Sequence, residues 1–199
     1  VNDTDPQKIT DLDELKAALQ LAIGVELSTI PVYLTALYSI KDGCNADATQ
    51  TIRSVVMEEM LHMTLAANVL NALGEVPSTK PVTFKSHENL SPIPAYPLKS
   101  PLIAGIGELR LLPLSPAAVE SFVRIEHPLH TAGSVDEIQL GSCSYRTIGQ
   151  FYGAIRAALE NTAVCPDSVF RQHNQIPASQ YYGGAGHVVE VKDRATALK

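Results

Sequence analysis

The chain has 199 residues, 45% of them hydrophobic and 18% charged, which is enough for one packed domain and too apolar for a disordered segment. A formal net charge of -6, with no Lys/Arg cluster, excludes a nucleic-acid surface. No continuous apolar run reaches the roughly 20 residues of a membrane span, and "VNDTDPQKIT" carries no signal-like stretch. The expectation is therefore a cytoplasmic protein that touches no membrane and forms one domain over residues 1–199. Cys44, Cys143 and Cys165 are sparse and lack a C-x-x-C pair, a usage that suits free, partly buried thiols in a reducing compartment.

The first element is Asp11 to Lys41. Its apolar residues Leu12, Leu15, Leu19, Ile23, Leu27, Ile30, Leu34 and Leu37 recur in steps of three and four, which traces one helical face. Thr10 or Asp11 can cap its start, and Gly43 follows its end. Pro31 lies inside, so a kink or a freed carbonyl is expected near Leu27, close to Glu26. A second helix is expected from about Ala48 to Leu73, stopped by Gly74 and Pro77. The turn "DGCNAD" between the two is short, and that makes them antiparallel neighbours.

From Gly74 to Pro116 eight prolines forbid a continuous helix, so this stretch reads as a long ordered connection with a short strand or two. Helices follow at about Pro116 to Glu126 and Thr147 to Glu160, separated by a loop over residues 129–144. The tail contains "GHVVEV", read as a strand, and "DRATALK", read as the first turn of a further helix.

The chemistry concentrates in Met57 to Met63, "MEEMLHM". Glu59 and His62 are three apart, so they project from one helical face and leave Glu58 toward solvent. Glu-x-x-His is a spacing with which bundle helices present a carboxylate and an imidazole to a metal. Glu26 lies midway along the facing helix, and antiparallel packing puts helix middles level. Burying carboxylates without a cation costs several kcal/mol or shifts their pKa, and a divalent metal would relieve that. The plainer alternative is that His62 bonds a buried carbonyl and no metal is held. Met57, Met60 and Met63 read as core filling, and Tyr33 and Tyr38 as core or rim aromatics, with a redox or proton-relay tyrosine as the outside case. His127 and His130 read as surface histidines, with an auxiliary ligand as the alternative. His87, His173 and His187 read as structural.

"LQLAIGVELSTIPVYLTALYSI" and "EEMLHMTLAANVLNALGEVP", followed by "SFVRIEHP", "TIGQFYGAI" and "GGAGHVVEVKDRATAL", resemble in order the ferritin-like domain of the iminophenyl-pyruvate dimer synthase family. The resemblance covers about Leu12 to Leu198. It implies an all-α, ferritin-like four-helix bundle with a long proline-rich connection between the second and third helices. It also implies metal ligands at Glu26, Glu59 and His62, and adds Glu126 as a further candidate. Two departures stand out: relatives read "IGEFY" where this chain has Gln150, and they continue past "ATAL" into a helix bearing a Glu and a His. Without that helix, half of a two-metal site would be missing.

Two functions are therefore expected. One is an iron-dependent oxidoreductase, with a di-iron, manganese or zinc centre as variants, acting on an amino-acid-derived small molecule of secondary metabolism that enters beneath the proline-rich connection. The other is a non-catalytic bundle with a degenerate site and no metal, serving as a partner- or ligand-binding module. Iron storage fits less well, since nothing signals a cage, and homo-oligomerisation stays open.

Overall fold

The computed structural model of the protein describes residues 8–100, 102–126, 145–181 and 186–199. The expected loop at 129–144, with Cys143, and the histidines His127 and His130 lie outside these residues.

Helix α1 (Leu12–Tyr38) begins where Asp11 accepts from the Glu14 backbone N–H at 2.8 Å. Glu14 in turn accepts from the Thr10 N–H and hydroxyl and from Lys85 Nζ at 2.6 Å, which ties the start of α1 to the connection. The helix runs unbroken through Pro31. Hydroxyls gather on the turn before it: Ser28 Oγ donates to the Val25 carbonyl, Thr29 Oγ1 approaches the Glu26 carbonyl at 2.8 Å, and Tyr96 Oη donates to the Ser28 carbonyl. Helix α2 (Ala46–Ala72) starts two residues earlier than the sequence suggests. Both helices have 27 residues, so antiparallel pairing across the short segment 39–45 sets Glu26 and Glu59 at the same depth.

The connection is ordered by two small hairpins. Strand β1 (Val82–Phe84) pairs antiparallel with β2 (His87–Leu90), and β3 (Leu98–Lys99) with β4 (Glu108–Leu109). Its apolar residues Phe84, Leu102, Ile103, Ile106 and Leu109 are buried with Leu15, Leu19, Tyr145 and Phe151, so it supplies part of the core as well as covering α1. At two points the backbone approaches so closely that only glycine fits. A Cβ on Gly24 of α1 would lie 2.9 Å from Pro92 Cα, and one on Gly105 would lie 2.3 Å from the Arg146 carbonyl oxygen.

Helix α3 (Pro116–Ile125) is capped by Ser115 with proline in its first turn, and α4 (Ile148–Glu160) is capped by Thr147. Both contact α1, which thereby meets α2, the β1 hairpin, α3 and α4. The expected all-α bundle is the fold of the chain, with α1 to α4 as its four helices and a one-turn α5 (Arg194–Ala197) beyond them. The absence of a 20-residue apolar run needs qualifying. Helix α1 is long and apolar enough to cross a membrane by length and composition, but 67% of its most apolar 18-residue window is buried inside the protein.

The strand expected at "GHVVEV" does not form in the described part of that stretch. The segment is held instead by amide side chains. Asn68 Nδ2 donates to the Ile176 and Val189 carbonyls and its Oδ1 accepts from Ile176 N–H, while Gln175 bonds both the N–H and the carbonyl of Val191. A strand needs a neighbouring backbone, and two side-chain amides, the buried Asn68 and the half-buried Gln175, take that place here.

Candidate metal centre

Glu26 on α1 and Glu59 on α2 are both buried, and His62 lies one turn beyond Glu59 with half its side chain exposed. His62 Nδ1 is 3.7 Å from Glu26 Oε2 and 3.9 Å from Glu59 Oε1. These are ion-pair distances, longer than hydrogen bonds. One ligand atom from each residue lies within 4.8 Å of the others, and this is the group of three potential ligands that the described residues bring together. Glu58 is exposed, as helical spacing requires.

The remaining carboxylate oxygens are taken by hydroxyls. Tyr152 Oη, from α4, donates to Glu26 Oε1, and Thr29 Oγ1 is hydrogen-bonded to Glu59 Oε2. Neither residue carries a ligand signature in sequence. Thr29 could have been found as the residue one helical turn from Glu26, but Tyr152 depends on how α4 docks.

Glu126 is placed differently from the trio. It ends α3 and is exposed, and its Oε1 accepts from Tyr33 Oη at 2.7 Å. Tyr33 is fully buried against the Phe122 ring, 4.6 Å between centroids. Glu126 thus acts on the centre by its charge, which helps to raise Glu59. Gln150 faces elsewhere: its amide oxygen accepts from the Arg146 N–H at 2.8 Å, at the start of α4. The α4 side chain that does reach the centre is Tyr152. Cys44 is exposed and Cys165 buried, both as free thiols.

The electrostatics follow from two carboxylates sharing a low-dielectric pocket. Burial first, then the Glu26 charge, push the Glu59 carboxyl up to about 8, against the lowering effect of the Thr29 hydrogen bond. The Glu26 carboxylate raises His62 above its ordinary value more than burial lowers it. Burial and then Glu26 hold the Tyr152 hydroxyl well above its usual range, and burial and then Glu126 do the same to Tyr33. Both phenols are therefore proton donors to carboxylates at neutral pH.

The donor set fits a hard or borderline divalent ion. Two carboxylates and an imidazole are ligands of iron, manganese and zinc. The only basic side chain in the group is one imidazole, so a cation would relieve the repulsion that raises Glu59. A cavity of about 300 Å³ lies between α1 and the connection, and its lining, including Gly24, Val25, Pro92 and Leu98, bears no charged residue. None of the three candidate ligands lines it, and His62 is the one member of the group with an exposed side chain.

Two long helices that bring two buried carboxylates and a half-exposed imidazole together inside a helical bundle point to the ferritin-like class. A family model described as ferritin-like matches residues 19–199, and the chain belongs to that family. No curated protein and no solved structure matches it.

Proposed function

We propose that this ferritin-like chain is a metal-dependent oxidoreductase in which Glu26, Glu59 and His62 hold the ion, with iron as the first choice and manganese or zinc as alternatives. The observation that carries this reading is the convergence of two buried carboxylates and an imidazole within 4.8 Å. Iron bound there would supply electrons to dioxygen or peroxide. The protein contributes a buried anionic pocket, the Tyr152 phenol bonded to Glu26, and an exposed imidazole on the side open to solvent. That open side suits a small-molecule substrate. The resemblance to the iminophenyl-pyruvate dimer synthase family points to an amino-acid-derived one in secondary metabolism. Glu126 enters the proposal as an outer residue that acts on Glu59 by its charge.

Elemental analysis of protein purified without a metal-affinity step tests this directly. Wild type should carry close to one equivalent of iron, manganese or zinc, and the Glu59→Ala/His62→Ala double variant almost none. Equal metal content in the two would refute the reading. A second reading, a non-catalytic binding module, draws on Gln150, whose amide is committed to the start of α4 and offers no fourth ligand. Iron-loaded protein that binds metal but consumes neither dioxygen nor peroxide beyond the double variant would favour it.

A further inference from the structure

Each candidate carboxylate has one oxygen tied and one free. On Glu26, Oε1 accepts from Tyr152 Oη while Oε2 faces His62 Nδ1 at 3.7 Å. On Glu59, Oε2 is bonded to Thr29 Oγ1 while Oε1 faces the same nitrogen at 3.9 Å. The two tied oxygens point away from the imidazole and the two free ones toward it. The hydroxyls come from separate elements, α4 and α1, and both are held. Tyr152 packs against Phe151, 6.1 Å between ring centroids, and Thr29 is fully buried beside the Glu26 carbonyl.

A carboxylate free to rotate can chelate one ion through both oxygens or bridge two. A hydroxyl bonded to one oxygen removes that freedom by fixing the plane of the group and occupying a lone pair. We propose that Tyr152 and Thr29 are positioning residues that restrict Glu26 and Glu59 to one ligand oxygen each, so that the centre takes a single divalent ion. This inference rests on the metal-site reading above and adds to it both the stoichiometry and the residues that set it. It also accounts for an aromatic hydroxyl buried at the one charged position in the middle of α1. Among the described residues no other cluster of three potential ligands supplies a second ion.

The test uses the full chain and Co²⁺ as probe, read by visible absorption and calorimetry. Wild type should bind one Co²⁺ per chain, with the intense bands of a low-coordinate ion, since two single oxygens and one nitrogen leave its sphere open. Tyr152→Phe and Thr29→Val should each still bind one Co²⁺, with bands weakened as the released carboxylate turns to chelate. The affinity should be about tenfold lower, the usual size of losing an outer hydrogen bond to a ligand. Thr29→Ser keeps the hydroxyl and should restore both spectrum and affinity, which a purely structural role for Thr29 would not require. Far-UV circular dichroism checks folding, and if either variant fails to fold the other carries the same expectation. Unchanged spectra and affinities in both variants would overturn the inference and leave the metal site standing. So would a second equivalent of Co²⁺ that vanishes in Glu26→Ala. Failure of wild type to bind Co²⁺ at all would overturn both.

Discussion

At the scale of single residues, Thr29 sets the proton arithmetic. Its Oγ1 lies at 2.8 Å from the Glu26 carbonyl and also contacts Glu59 Oε2, yet a hydroxyl has one proton to give. Given to Glu59, that proton favours the carboxylate and lowers its pKa, so burial and the Glu26 charge have to outweigh it to raise the carboxyl to about 8. A carboxyl whose folded pKa lies above its unfolded value of 4.5 stabilises the fold fully below that value, and the stability is lost as pH rises through 8. Metal-free protein should therefore weaken between those limits, by up to about 1.4 kcal/mol per pH unit from this group. His62, also raised, contributes with the same sign. Glu14 runs the other way: burial pushes it up, but hydrogen bonds from Lys85 and Thr10 bring it below its ordinary value, so its share is lost in acid. Urea unfolding of Glu59→Gln across the same range should give a flatter curve than wild type, and parallel curves would refute the assignment. The convergence of Glu26, Glu59 and His62 was legible in the sequence because i,i+3 spacing and helix depth are local rules. Tyr152 was not, since a tyrosine at a half-buried helix position looks the same whether it meets lipid, core or carboxylate.

At the scale of elements, the amide-pinned tail is where pattern reading failed. "GHVVEV" is rich in valine as a strand would be, but Val188 and Val191, the two that are buried, are three apart and would fall on opposite faces of a strand. What the sequence could not reveal is that the backbone partners are Asn68 and Gln175, more than a hundred and about sixteen residues away from the groups they bond. Asn68 meets three backbone groups at 2.8 to 3.0 Å while fully buried. Replacing it with Ala would remove three part-buried hydrogen bonds at once, at about 3 kcal/mol in all, since each bond is worth about 1. Chemical denaturation should show that loss, and hydrogen exchange should show Ile176 N–H losing protection. A loss below about 1 kcal/mol would mean that the tail is held by its valines and not by the amide. The long connection was read correctly as ordered, but its role as core material was hidden by its prolines.

At the scale of the whole molecule, α1 and α2 carry the centre between them, so an ion bound there joins the two longest helices. Anything that binds the native state alone stabilises it by mass action, about 2.7 kcal/mol at a hundredfold excess over Kd. For a chain of this size that is about 5–10 °C in Tm. Iron(II) or manganese(II) under anaerobic conditions should raise the melting temperature of wild type by that amount, and a chelator should return it. The Glu59→Ala/His62→Ala variant should not respond, and an equal response would place the ion elsewhere.

Helix α1 passes a composition test for a membrane span for a reason that its neighbours explain. It touches α2, the β1 hairpin, α3 and α4, so other parts of the chain serve as its solvent on nearly every side. Between Lys16 and Lys41 it carries one charged residue, Glu26. In a helix immersed like this, a carboxylate is an ion dissolved in oil, and its natural companion is a counter-ion. The same surroundings that make α1 look like a lipid-facing segment turn its single charge into a place where a cation is at home.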